Sequence, residues 1–294
     1  MVIPHYGLAT PTNALIDMLF SGDNATLHEV IVADDCSPDP FIPADERTIL
    51  VRRERNGGFG SAVNSGAARA TGTHLLVLNS DLTVSPGFVD ALATASQAWD
   101  AVTGPAVVSP SGAADWTGRR FPTVWHQVAE WLTILARWRE TPAWHAAVGH
   151  DRRARPGVTT VVDWLVGAAL LIPMASFRQI GGFDERFFMN CEEIDLQRRL
   201  RDLGVPSVYL GDVTVLHEGG GSSDPALRRR WLVGARFDYA RKWGGHRRLI
   251  ASLTAATAAN FAWNLVRRAT GSATRPVATA REELSLIATS SSSS

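Results

Sequence analysis

The chain has 294 residues, 45% of them apolar, and 29 basic against 29 acidic side chains, so its formal net charge is zero. That length holds a full hydrophobic core and one catalytic domain with an appendage, while the balanced charge excludes a dedicated nucleic-acid binder, which needs a basic field to release counterions. Cys36 and Cys191 stand far apart without metal-ligand spacing, which argues against a zinc site or disulfide framework, and no charged segment followed by an apolar run opens the sequence, so a cytoplasmic location is expected.

Short apolar runs alternate with helical patterns through the first two hundred residues, the signature of βαβ units on a mostly parallel sheet. Strands are expected at 2–4, 29–33, 48–52 and 74–78, and helices at 11–20 and 61–70. Ligands of open α/β sheets bind beyond the carboxyl ends of the strands, and polar residues gather there. Asp34 and Asp35 follow one strand, where they can reach a ribose or base or simply cap a turn. Asn56-Gly57-Gly58-Phe59-Gly60 opens a helix that could face phosphate, although it has neither a P-loop ending nor dinucleotide spacing. Asn79-Ser80-Asp81 closes another strand, and Asp81 there suffices for a Mg²⁺ or Mn²⁺ shared with substrate phosphates.

From 121 to 148 the chain is rich in tryptophan, with Val128, Trp131, Leu135 and Trp138 on one face of an expected helix. A second ordered block begins at 161 and passes through Gly182-Phe183-Asp184 into a charged helix over 191–203. That helix opens with Glu192 and Glu193, directed about 100° apart, and Asp195 and Arg199 are spaced for an i,i+4 ion pair. A strand at 207–210 follows. His217 ends an apolar run before Glu218-Gly219-Gly220-Gly221 and Ser222-Ser223, a setting suited to a diphosphate or metal contact. The chain then reads as helical to 268 and as a mobile tail beyond. The segment 249–266 is too dilute in strongly apolar residues to span a membrane. Bracketed by His246-Arg247-Arg248 and Arg267-Arg268, it suits either an anionic surface or packing on the protein.

At these residues the chain resembles glycosyltransferase family 2 and its bacterial rhamnosyltransferase-like branch. The resemblance covers about the first 220 residues. It runs from Val2-Ile3-Pro4-His5-Tyr6 through Ala33-Asp34-Asp35-Cys36-Ser37, Asn56-x-Gly58, Asn64-x-Gly66 and Leu78-Asn79-Ser80-Asp81. It continues through Gly167-Ala168, Gly182-Phe183-Asp184-Glu185, Glu192-Glu193-x-Asp195 and His217.

The resemblance implies an α/β GT-A catalytic domain over 1–225, with a helical extension over 226–270 and a tail over 271–294. It implies a nucleoside-diphosphate sugar, best dTDP-L-rhamnose, seated among Pro4, Tyr6, Asp34, Asp35, Asn56, Gly58, Asn79, Asp81 and His217. It also implies Mg²⁺ or Mn²⁺ on Asp81 with help from His217, and an inverting displacement whose base is Glu193 or Glu192. Two positions depart from the family pattern, since Asn79 replaces the first motif carboxylate and Glu192-Glu193 replaces a Glu-Asp pair. A sugar nucleotidyltransferase would carry a basic glycine-rich loop and an active-site lysine, whereas an inactive binding module would keep the fold without the acid chemistry. The expected acceptor is a saccharide or lipid-linked saccharide of envelope polysaccharide assembly. The enzyme is accordingly expected to be cytoplasmic, with peripheral contact to the inner membrane, or homodimeric through the same apolar faces.

Overall fold

The computed structural model describes every residue except 23, 114–115, 218–223 and 293–294. The glycine and serine run after His217 therefore lies outside the described residues. In chain order the first elements are β1 (Val2–His5), α1 (Ala9–Ser21), β2 (Val30–Asp34), β3 (Thr48–Arg52), α2 (Phe59–Ala67), β4 (His74–Leu78), β5 (Leu82–Thr83), α3 (Phe88–Ser96) and β6 (Val102–Val108). Next come β7 (Gly118–Arg119), α4 (Val124–Trp131), a 3-10 turn (Thr133–Trp138), α5 (Pro142–Ala147), β8 (Thr159–Val162), β9 (Trp164–Leu165), β10 (Ala169–Pro173) and α6 (Met174–Gln179). The last are α7 (Glu192–Asp202), β11 (Ser207–His217), α8 (Pro225–Trp243), α9 (His246–Ala269) and α10 (Pro276–Ser292). They segregate into two compact units, Met1–Arg120 with Arg153–Ser222, and Phe121–Arg152 with Ser223–Ser294.

The first unit is built on a sheet of order β3-β2-β1-β4-β10-β6-β11-β5, with β8 paired to β11. β3, β2, β1 and β4 are parallel, and β10 enters antiparallel between β4 and β6. β1, β2, β4 and β10 are near-continuous apolar runs because both faces are covered, whereas the edge strand β3 is largely exposed. Successive residues alternate between the covers. Ile3, Val32, Leu76 and Leu78 pack with Leu15 and Leu19 of α1 and Phe88 and Leu92 of α3. Val2, Ile31, Leu75 and Val77 pack with Val63 of α2, Phe177 of α6 and Leu196 and Leu200 of α7. Each such side chain contributes about 1.5–3 kcal/mol on burial.

β11 runs well past the strand expected at 207–210. Its pairing with β6 shifts register between Leu210 and Thr214, a bulge that bends the strand and lets it continue. Gly211 occupies the bend, where a Cβ would lie 2.6 Å from the Arg155 carbonyl oxygen. The extension matters because it carries His217 to β5, opposite Leu82.

The second unit is helical, with a core of Trp131, Val233, Phe237, Leu249, Leu253, Leu286 and Ile287. Four readings of the sequence change here. The tryptophan face is not one helix: α4 stops at Trp131 and the 3-10 turn follows, so Trp131 is buried at 8% exposure while Trp138 stays at 42%. The extension is two helices, broken at Gly244 and Gly245 with φ of +93° and +97°, a region open to glycine. The tail expected to be mobile forms α10, because Glu283, Leu286, Ile287 and Ser290 recur at helical spacing and are buried. Residues 121–152 join these helices, so they leave the catalytic block expected over 1–225.

Candidate active site

The carboxyl ends of β1 and β2 are tied together, since Asp35 N–H donates to the His5 carbonyl at 2.9 Å and Gly7 N–H to Ser37 Oγ at 3.0 Å. His5 itself points inward, with Nδ1 2.7 Å from Thr12 Oγ1 and the ring against Phe41. Pro4 is half-buried beside it and Tyr6 is exposed at the strand end. Asp34 does not face a ligand. It is fully buried, accepts from Ser37 N–H at 2.9 Å and Phe41 N–H at 3.2 Å, and pairs with Arg52. Burial alone raises its carboxyl, and these hydrogen bonds together with the Arg52 charge hold it below the ordinary range. Its work is to hold the loop after β2, so the ligand role expected of it is withdrawn.

Asp35 organises the glycine loop. Its carboxylate accepts from Gly57 N–H at 3.1 Å and Gly58 N–H at 2.7 Å, and it pairs with Arg53. The exposed Asn56 folds its Oδ1 onto the same Gly58 N–H at 3.1 Å. Gly58 has φ +86° and ψ 177°, and a Cβ there would lie 1.7 Å from the Phe188 carbonyl oxygen. The first helical N–H, that of Phe59, donates to that same oxygen at 3.2 Å. The chain's own backbone thus accounts for glycine at this position, and the first N–H of α2 is taken by Phe188.

The metal candidates do meet. Asp81 lies just before β5, the register of β5 with β11 sets His217 opposite Leu82, and His217 Nε2 stands 3.2 Å from Asp81 Oδ1. Burial raises the Asp81 carboxyl, but the hydrogen bond and charge of His217 outweigh it and hold it below the ordinary range. Among the described residues no three His, Cys, Asp or Glu side chains converge as a metal cage. A carboxylate oxygen and an imidazole nitrogen leave the remaining positions to diphosphate oxygens and water, which fits Mn²⁺ or Mg²⁺.

Asn79 places this strand end beside the acidic pair. Its N–H donates to the Ala168 carbonyl at 2.8 Å, and the preceding Gly167 lies under Glu193, where an added Cβ would be 3.5 Å from Glu193 Cβ. Glu192 is buried and Glu193 partly exposed, and each has a buried Oε2 without a hydrogen-bond partner. Burial pushes both carboxyls above the ordinary range. The neighbouring Glu193 charge adds to the rise at Glu192, while the Arg119 charge opposes it at Glu193. Orphaned buried carboxylate oxygens are costly and mark functional sites. The Asp195–Arg199 pair forms as expected, at 2.8 Å.

Sequence reading missed two supports. Gln197 is fully buried, bonds both backbone groups of Leu165 at 2.8 Å, and donates to the Glu193 carbonyl at 3.0 Å. Its i+4 spacing from Glu193 was the available signal. Arg119 comes from β7, paired to β9, and nothing local in the sequence marks it.

Comparison with known proteins gives the same frame. The family model for glycosyl transferase family 2 matches residues 2–146. N-acetylglucosaminyl-diphospho-decaprenol L-rhamnosyltransferase of Mycobacterium tuberculosis is 31% identical over 223 residues, 67% of this chain and 69% of that protein. Rhamnosyltransferase WbbL of Escherichia coli K12 is 36% identical over 86 residues, 28% of this chain and 33% of that protein. Among solved structures, GalNAc-T7 with UDP, GalNAc and Mn²⁺ aligns at TM-score 0.56 and 16% identity, over 78% of this chain and 47% of that one, so the chain spans just under half of its length. The mannosyltransferase PcManGT of Pyrobaculum calidifontis, in complex with GDP-Man and Mn²⁺, aligns at TM-score 0.52 and 16% identity over 98% of this chain and 84% of that one. The first unit therefore has the GT-A fold, and the chain belongs to glycosyl transferase family 2.

Proposed function

We propose that the chain is an inverting, metal-dependent rhamnosyltransferase that moves L-rhamnose from dTDP-L-rhamnose to a hydroxyl of a lipid-linked saccharide. The work belongs to envelope polysaccharide assembly, with the enzyme peripheral to the cytoplasmic face of the membrane. The observation that carries this reading is the juxtaposition of Asp81 and His217 with a carboxylate, Glu193, seated over Gly167 on the adjoining strand end. Donor and acceptor class rest on the names of the two rhamnosyltransferase relatives.

Asp81 and His217 would hold Mn²⁺ or Mg²⁺, and the bound ion supplies positive charge to the departing diphosphate. Tyr6, Pro4 and Asn56 line the nucleotide side, with Asp35 and Gly58 holding that loop in shape and Asn79 setting the strand end. Glu193 accepts the proton of the acceptor hydroxyl as its oxygen attacks the anomeric carbon. The new C–O bond forms on the face opposite the departing dTDP, whose bond to the sugar breaks, so the configuration inverts. General-base help of this kind contributes about 10²–10⁴-fold. Glu193 is the better base of the pair because the Arg119 charge opposes the rise that burial causes in its carboxyl, whereas at Glu192 the neighbouring Glu193 charge adds to the rise from burial.

Radiolabelled dTDP-L-rhamnose and a polyprenyl-diphospho-N-acetylglucosamine acceptor test the proposal. Labelled lipid should form with Mn²⁺ and not with EDTA. Full transfer in EDTA would refute the metal role, and transfer from UDP- or GDP-sugars alone would refute the donor.

A further inference from the structure

The second unit carries a helix whose polarity is reversed over its C-terminal half. The N-terminal half of α9 buries Leu249, Leu253 and Ala256, but beyond them the buried residues are Thr257, Asn260 and Asn264, whereas Ala258, Ala262, Leu265 and Val266 are exposed. A helix packed for water shows the opposite pattern. The inner polar groups are bonded: Trp131 Nε1–H donates to Thr257 Oγ1 at 2.9 Å, and Asn260 Nδ2 donates to the Trp131 carbonyl at 3.0 Å and to Glu283 Oε1 at 3.2 Å.

The outer face carries no charge from 249 to 266 and is bracketed by exposed Arg247 and Arg248 before it and exposed Arg267 and Arg268 after it. Leu265 and Val266 are 46% and 54% exposed. The exposed Trp138 has the Arg137 guanidinium 4.2 Å from its ring centre, and the same guanidinium is 5.9 Å from Trp263 of α9. Where α9 begins, an open hollow of about 410 Å³ is lined by Arg241, Gly244, Gly245, His246, Arg247 and Arg248. The first turn has no side-chain cap, and His246 Nδ1 has no hydrogen-bond partner.

We infer that α9 is a docking surface for an anionic phospholipid bilayer, lying flat in the headgroup region with Leu265, Val266 and Trp138 turned to the acyl boundary and the arginines on lipid phosphates. The inference deepens the peripheral placement proposed above and rests on it. By length and composition α9 could cross a membrane, but crossing would strip Thr257, Asn260 and Asn264 of their positions in the second unit and carry them into hydrocarbon, where no replacement partner exists. Lying in the interface keeps those bonds. Guanidinium groups pair with phosphate in bidentate fashion, and tryptophan favours the boundary between water and hydrocarbon. Charge also decides against a second copy. Antiparallel pairing of two α9 helices sets Arg247 and Arg248 against Arg267 and Arg268, and parallel pairing sets each cluster against itself. Both oppose like charges, whereas an anionic surface complements both ends.

Flotation of the full chain with phosphatidylglycerol–phosphatidylcholine vesicles, beside pure phosphatidylcholine, provides the test. The protein should float with anionic vesicles at low salt, and less as salt screens the attraction. Arg247→Gln with Arg248→Gln should weaken partitioning roughly 25-fold, at about fivefold per basic residue. Leu265→Ser with Val266→Ser should also weaken it, and both pairs are exposed, so the melting temperature should stay at the parent value. Absence of flotation, or flotation unchanged by both pairs, would overturn the inference. So would a sedimenting dimer, abolished by the serine pair, without vesicle binding. Rhamnosyl transfer to a short-chain, water-soluble acceptor is measured alongside: transfer without flotation sinks the surface alone, and flotation without transfer sinks the catalytic reading alone.

Discussion

Replacing Gly58 by alanine tests whether the glycine loop is shaped by the protein's own backbone. The new methyl would lie 1.7 Å from the Phe188 carbonyl oxygen, against an ordinary C···O separation of about 3.3 Å, so the Phe188 segment must retreat by about 1.5 Å. The backbone at φ +86° and ψ 177° lies in a region nearly restricted to glycine, at a cost of about 1–3 kcal/mol. Loss of the Phe59 N–H bond to Phe188 adds about 1 kcal/mol, and overpacking about 1–3 kcal/mol. A total near 5 kcal/mol lowers the melting temperature by roughly 10–20 °C for a domain of this size. Phe188 leads directly into α7, and a displacement of about 1 Å at a catalytic group lowers the rate about 10²-fold. Gly7→Ala supplies the control, because Gly7 also has positive φ, +102°, yet an added Cβ meets nothing within 4 Å. Calorimetry and single-turnover transfer on both variants separate strain from collision. If Gly58→Ala melts within about 2 °C of Gly7→Ala, contact with Phe188 does not dictate glycine there; transfer lost without loss of stability would then make close approach of a diphosphate the better explanation.

Asp81→Ala should abolish Mn²⁺-dependent binding of dTDP in calorimetric titration while the protein still melts cooperatively; undiminished affinity would remove Asp81 from the metal site. Glu193→Gln should lower transfer by at least about 10²-fold with donor affinity retained, and Glu192→Gln should do less, a reversed order reassigning the base to Glu192. Glu192→Gln also has a pH signature. Its folded-state carboxyl is raised above the ordinary 4.5, so the native state keeps a proton that the unfolded chain releases, and the parent loses stability as pH rises from about 4.5 through the raised value. Gln removes that loss, so parent and variant should melt alike near pH 4 and the variant higher at pH 8; parallel melting curves against pH would show that burial does not perturb Glu192.

Much of the sheet was legible because its strands are runs of Val, Ile and Leu whose length and flanks admit no other reading. β3 and β4 lie at their expected bounds, and β1 and β2 within a residue of them. The residues proposed for the site, Asp81, His217 and the acidic start of α7, stand where chemistry-bearing side chains and element ends coincide in the sequence. Asp34 and Asp35 defeated the sequence because adjacent residues on a strand point to opposite sides. Both carboxylates are bonded to their own loops, and only the three-dimensional partners reveal it. Gly58 was noticed for close backbone approach, and the Phe188 carbonyl is the partner that the fold brings there. α10 and the bulge in β11 were hidden, the one by its Ser, Thr and Ala content and the other because Gly211 reads as a stop. Trp131 looked like a surface anchor until Thr257, 126 residues away, took its N–H.

What holds Glu193 in place is distributed over several elements, and this explains why the family's scattered motif residues belong together. Asn64 of α2 accepts from Phe183 N–H and donates to the Phe183 carbonyl, each at 2.9 Å, a two-point clamp on the chain that enters the site. Phe187 is buried in the core, and Phe188 is held at Gly58 and Phe59. From that fixed stretch the backbone reaches α7 through Asn190 and Cys191, at φ of +71° and +65°. Such left-handed non-glycine residues each cost about 1–2 kcal/mol. The third such residue among those described, Cys36 at +63°, lies in the loop after β2 and follows Asp35 directly. Strain of this kind persists only where surrounding contacts over-determine the backbone, and the clamp, the buried ring and the Gly58 contact are such contacts. Behind the helix, Gln197 bonds Leu165 and the Glu193 carbonyl and so ties α7 to β9, whose partner strand carries Arg119. The carboxylate proposed as the base is therefore positioned from α2, from the segment before α7 and from β9. None of these anchors is itself acidic, and those from α2 and β9 are far from Glu193 in sequence.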